Sequence, residues 1–227
     1  MFRFTFGGLA IASLLFVSMV PSTQAQGFFG IGKDEPLPSV SLPPANVTLE
    51  IPMPVNSANL SLLLAQAGEG GSLTALKQEK VERYRQHLQT MINRRLRQFF
   101  FDEEVPLADQ RGQLSVQTHF RLTIVKQLSG MRRDGDFDVE RGNMEVSGRF
   151  HYRVADTEGR PLREDSLDID RLKLREPYQV RAQQNGEQLE DSTDQAILNL
   201  LSTLTDKVLS TIDDDIEADE LQELLAS

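Results

Sequence analysis

Two stretches of this chain decide its fold: Leu114-Ser-Val-Gln-Thr-His-Phe-Arg-Leu-Thr-Ile124 and Met144-Glu-Val-Ser-Gly-Arg-Phe-His-Tyr-Arg-Val154. In the first, Leu114, Val116, Thr118, Phe120, Leu122 and Ile124 alternate with Ser115, Gln117, His119, Arg121 and Thr123. In the second, Met144, Val146, Gly148, Phe150, Tyr152 and Val154 alternate with Glu145, Ser147, Arg149, His151 and Arg153. Side chains two apart share one face of a strand, so the pattern predicts two strands of a sheet with one buried and one wet face. A hairpin centred on Gly135 sets Phe120 opposite Phe150 inside and His119 opposite His151 outside.

Working outward, residues 156–161 form a turn and residues 162–174 a third strand, whose phase slips between Ile169 and Leu172 as a bulge would make it. Before the hairpin, a helix starts at Ser72 or Thr74. Its apolar stripe is Val81, Tyr84, Leu88, Met91, Ile92, Leu96 and Phe99, and Asp102, Glu103, Glu104 and Pro106 close it. After the strands, Asp191 or Ser192 caps a last helix carrying Ala196, Ile197, Leu200, Leu201, Leu204, Val208 and Ile212 on one face. Residues 213–227 read as an acidic tail. Val47, Leu49 and Ile51 make a short strand that Pro52 and Pro54 confine to a sheet edge, and residues 60–65 suggest a turn of helix. The order is β-α-β-β-β-α. The expected fold is α+β, a small antiparallel sheet with two amphipathic helices on one face, in a single domain over residues 46–212.

The first 25 residues read as an address. Arg3 precedes a short apolar run from Leu9 to Val20, Pro21 breaks it, and Thr23 and Ala25 are small residues placed for cleavage after Ala25. The run is shorter than the roughly 20 apolar residues a bilayer requires. The expected location is therefore the periplasm, free or peripheral to the outer membrane. Residues 26–45, rich in Gly and Pro, read as a flexible leader.

Composition narrows the chemistry. The 227 residues include 24 Lys+Arg against 34 Asp+Glu, a net charge of −10, and no Cys. Without Cys there is no disulfide scaffold, no thiolate metal site and no thiol nucleophile. An acidic balance argues against a general nucleic-acid binder. A Gly-x-Ser-x-Gly elbow, a phosphate-binding Gly loop and a His-Glu-x-x-His pair are all missing. No catalytic residue and no cofactor are assigned, and the expected function is non-enzymatic.

Three constellations remain. Lys80, Arg83, His87, Arg94 and Arg97 fall on one side of the first helix, a basic stripe against the trend of the chain. It reads as a contact for an envelope protein or an anionic glycolipid, or else as a solvated face or a partner for the acidic tail. Asp134, Asp136 and Asp138, with Glu145 beyond them, partly match a calcium loop, but Val139 stands where the sharp turn needs Gly, so a solvated hairpin tip competes with it. His119 and His151 could hold a metal if a carboxylate joined them, although Arg121, Arg149 and Arg153 share their face.

The helix, the strand meander over residues 114–174, the Gln-rich approach over residues 178–188 and the final helix over residues 192–212 together resemble a group of small periplasmic envelope-assembly proteins. Among these is the lipopolysaccharide-assembly lipoprotein of the outer-membrane translocon. That family carries a lipid-modified Cys that this chain lacks. The resemblance implies a non-catalytic accessory that grips a larger envelope component. The alternative is a carrier holding an apolar ligand between helices and sheet, lined by Phe99, Phe100, Phe120, Phe150 and Tyr152.

Overall fold

A computed structural model describes residues 36–52, 73–183 and 188–226. The two alternating stretches become β4 (Leu114–Asp134) and β5 (Phe137–Ala155), an antiparallel hairpin. Phe120 and Phe150 are both fully buried, with ring centroids 4.6 Å apart, and His119 stands opposite His151 as the alternation requires. That register holds from Ser115 opposite Ala155 to Leu128 opposite Gly142. A bulge between Leu128 and Gly130 then shifts it by one residue. The turn consequently falls on Gly135 and Asp136 rather than on Gly135 alone, with Asp134 opposite Phe137 and Gly135 at φ +60, a conformation open to glycine. Both strands also run beyond their alternating stretches into a distal arm whose tip is uncovered, where Leu128 and Met131 are each 55% exposed and no buried face imposes an alternation.

Among the described residues the sheet has eight strands and is mixed, which corrects the expectation of an antiparallel one. β1 (Val40–Ser41) and β2 (Asn46–Glu50) lie in succession along one side of β4, both parallel to it. Parallel neighbours need a long crossover, and the 30-residue helix α1 (Leu73–Asp102), between β2 and β4 in the chain, supplies one. β3 (Leu107–Ala108) pairs with β1. Val40 and Ala45 are fully buried, so the flexible leader expected through residue 45 gives way to sheet from Val40 onward. Pro38 and Pro43 lie just outside β1, where a missing N–H costs no ladder bond.

Along the far side of β5 run β6 (Pro161–Asp168) and β7 (Arg175–Gln183), one after the other, and β8 (Leu189–Asp191) pairs with β7. The phase slip in the third strand is thus a break between two strands, not a bulge. A 3₁₀ turn at Ile169–Leu172 fills it, followed by Lys173 at φ +50. Asp170 in that turn accepts the Gly148 N–H at 3.2 Å, a ladder donor that neither β6 nor β7 reaches.

α1 and α2 (Thr193–Ile216) cover the apolar face. α1 buries Tyr84, Leu88, Ile92, Leu96 and Phe100, and α2 buries the whole stripe read from sequence together with Ile216. The acidic tail expected over residues 213–227 is instead the end of α2 and a further helix, α3 (Ala218–Ala226), which buries Leu221 completely. Arg163 on β6 ties down both helices: Nη2 donates to Glu220 of α3 at 2.6 Å and Nη1 to the Asp215 backbone carbonyl of α2 at 2.7 Å. The signal segment and the turn of helix at residues 60–65 lie outside the described residues.

Candidate functional site

The basic stripe of α1 divides into two parts with different fates. At the N-terminal end, Asp194 in the first turn of α2 gathers three donors from α1: Lys80 at 3.2 Å, Arg83 at 3.1 Å and the Tyr84 hydroxyl at 2.5 Å. One turn on, Arg85 is taken by Glu82 at 2.6 Å, and further along Arg95 meets Asp206 of α2 at 2.9 Å. Lys80 and Arg83 thus serve as a clamp between helices, and His87 beside them is half-buried. Burial pulls the Asp194 carboxyl toward neutrality, but the Tyr84 hydroxyl and the two cations outweigh it and hold its pKa below the ordinary carboxylate value. The folded-state pKa being the lower one, this stabilisation is complete above the unfolded value of about 4 and is lost as pH falls through the folded value. Asp194→Asn is expected to cost about 1 kcal/mol at pH 7, most of the attraction being screened at this half-exposed site. It is also expected to flatten the loss of stability below pH 4, which urea unfolding at a series of pH values reads directly.

The C-terminal part of the stripe is different. Arg94 and Arg97 are exposed and have no ion pair among the described residues. Between them on the helical surface, one turn on, stands Phe101, 73% exposed. Phe99, Phe100 and Phe101 are consecutive, and three residues on an α-helix sweep about 200°, so all three cannot face one core. Phe100 is buried, Phe99 packs edge-on against it with centroids 5.3 Å apart, and Phe101 is turned out. The run of three was the signal in the sequence for an outward aromatic, and it went unread there. Leu107, 37% exposed, completes a shallow groove of about 620 Å³ with Thr90, Asn93, Arg94, Arg97, Gln98 and Phe101. Two cations and an exposed aromatic side by side can meet an anionic amphiphile, charge to charge and apolar to apolar.

The metal candidates do not assemble. Among the described residues no three His, Asp or Glu side chains converge on one point. Asp134 and Asp136 are exposed at the hairpin turn, and Asp138 is 3.4 Å from Arg133. His119 and His151 do face each other, but the carboxylate nearby, Glu164 on β6, accepts from His151 Nε2 at 2.8 Å as a pair, with no third group drawn in. The aromatic residues that were to line a carrier's pocket are packed core instead: Phe100, Phe120 and Phe150 are fully buried, Tyr152 is 2% exposed, and Tyr152 stacks on Phe150. Among the described residues no helix is long and apolar enough to cross a membrane.

No protein-family model matches the chain, and no curated protein matches it. Among solved structures, one from Helicobacter pylori, provisionally described as a neuraminyllactose-binding hemagglutinin homolog, is similar at a TM-score of 0.46. The identity is 14%, over 86% of this chain and 93% of that one. A minor lipoprotein from Acinetobacter baumannii is similar at a TM-score of 0.33 and 12% identity, over 80% of this chain and 91% of that one. At such scores the likeness carries no functional assignment, and the reading that follows rests on this chain's own residues.

Proposed function

We propose that this chain is a non-enzymatic, exported accessory protein of the cell envelope that docks on an anionic amphiphilic surface, of the anionic glycolipid kind, through the end of α1. The observation that carries the reading is the placement of Arg94 and Arg97, without ion pairs among the described residues, around the outward Phe101. In a chain of net charge −10, Lys80, Arg83, Arg85 and Arg95 on α1 each meet an acid, whereas Arg94 and Arg97 do not among the described residues. An exposed phenyl ring flanked by guanidiniums has little reason to persist in water, whereas at a headgroup layer the ring enters the acyl boundary while the cations stay with the phosphates. Glu104 and Asp109 are exposed in the loop beyond the helix, which keeps the expected affinity modest.

The test is co-sedimentation of the chain from Gln26 onward with phosphatidylglycerol vesicles at low and high salt. Each basic residue near an anionic surface contributes about 1 kcal/mol. Arg94→Gln with Arg97→Gln is therefore expected to weaken partitioning by about thirtyfold, and Phe101→Ser to weaken it further, while the same changes at Lys80 and Arg83 leave it within about threefold. Equal losses from both pairs, or binding that high salt does not reduce, would sink the proposal.

A further inference from the structure

The other face of the sheet carries a second, independent concentration of positive charge. The β4–β5 register places Arg121 directly opposite Arg149. Residues so paired have Cβ atoms about 5 Å apart, and like charges at such positions cost stability. A sheet ordinarily relieves the cost with an acid on the next strand. Here the neighbour of Arg121 on β2 is Thr48. The neighbour of Arg149 on β6 is Asp168, whose carboxylate turns to the Asp170 amide at 3.2 Å and to Arg171 at 3.8 Å. Both arginines are exposed, and neither has an ion pair among the described residues. The next row on the same face is His119 opposite His151, and the row after that is Gln117 opposite Arg153. Among the described residues the acid bonded to this face is Glu164, on His151 at 2.8 Å, and Glu50 on β2 stands opposite Thr123 in the row beyond Arg121.

We infer that the open sheet face holds an oxyanion site, with Arg121 and Arg149 as a cross-strand pair gripping a ligand's phosphate group. A guanidinium is a planar fork of donors that matches phosphate oxygens two at a time. Two forks set across a strand pair present donors to three oxygens of one tetrahedral group, and a doubly charged phosphate neutralises both. A carboxylate offers two oxygens and a single charge, so it satisfies one fork and leaves the other repelled. A phosphate held there removes the like-charge cost that the arginine pair carries by itself. The same chemistry is presented by a soluble phosphate ester and by a lipid headgroup.

The chain has three histidines. Two stand in the row next to the arginine pair and the third, His87, lies on α1 in the helical layer, so their ring C–H resonances contain their own control. Inorganic pyrophosphate is titrated at fixed pH and low salt into the chain from Gln26 onward. The His119 and His151 signals are expected to move together, half-saturating on the order of 1 mM, with His87 still. Arg121→Gln and Arg149→Gln are each expected to weaken this about tenfold, the loss of one charge-assisted contact, with the melting temperature unchanged or higher because a repulsion is removed. Equal movement of all three histidines, no movement by about 20 mM, or unchanged binding by Arg149→Gln overturns the inference. The source is then separated in the Arg94→Gln, Arg97→Gln background, where the α1 groove is silenced. Broadening of His119 and His151 by phosphatidic acid vesicles, abolished by Arg149→Gln, supports the site with a headgroup as its ligand. Pyrophosphate binding with no vesicle effect supports it with a soluble phosphate ester.

Discussion

Lys126→Leu is expected to destabilise the fold by about 3–5 kcal/mol, among the largest effects of any single replacement in this chain. Lys126 on β4 is 2.6 Å from Glu140 on β5, with only 11% and 7% of the two side chains exposed. The Tyr178 hydroxyl of β7 donates to the same carboxylate at 2.9 Å, and the Lys126 ammonium sits 4.4 Å from the Tyr178 ring centroid. Gly142 permits that arrangement, since a Cβ there would lie 2.7 Å from the tyrosine ring and 2.0 Å from the Gln127 carbonyl oxygen. Removing the lysine leaves a buried carboxylate with a hydroxyl and no counter-charge, the most costly way to break such a pair. Removing the whole polar group leaves nothing to desolvate. The triple replacement Lys126→Leu, Glu140→Leu, Tyr178→Phe is therefore expected to return to within about 1 kcal/mol of the parent. Urea unfolding of the three proteins at pH 7 decides it. A cost below about 1 kcal/mol for Lys126→Leu alone would mean that water reaches the pair and that the exposure argument fails.

What was legible in the chain followed from how local each determinant is. The β4–β5 register could be read because two clean alternations and a pair of facing phenylalanines leave no other phase that buries both. The bulge after Leu128 could not, since Ser129 and Gly130 fit either register and no buried face selects one. β1 is two residues long, and Val40 becomes sheet only because β3 and β4 flank it. The slip near Ile169 was visible, but a bulge and a strand break look alike in sequence until a partner strand is seen to receive both halves. The basic stripe was found whole, yet its division was hidden. Asp194 and Asp206, which take Lys80, Arg83 and Arg95, lie more than 100 residues away and reach them only once α2 is laid beside α1.

The C-terminus gives the second large effect. A chain ending at Asp213 is expected to lose about 5 kcal/mol of stability, with a melting temperature lower by about 10–20 °C. Ile216 and Leu221 are both fully buried, and withdrawing two such side chains alone costs about 4 kcal/mol. The polar losses add to this. The Tyr152 hydroxyl, 2.6 Å from Asp215, is left in the core without its acceptor, and Arg163, 27% exposed, loses both Asp215 and Glu220. Burial and the Asp215 carboxylate together hold the Tyr152 phenol well above its ordinary pKa, so above pH 10 the intact protein should also lose stability as the unfolded chain ionises first. A chain ending at Gln222 keeps Ile216, Leu221, Asp215 and Glu220, and is expected to melt within a few degrees of the parent. The two truncations separate a helix that closes the core from an acidic extension that only carries charge. If the chain ending at Asp213 melts as the parent does, the acids of this segment are a solvated tail after all, and Arg163 and Tyr152 find water in their place. If it falls while the longer truncation holds, the negative charges near the end of the chain are the outer face of a helix placed by two buried aliphatic residues.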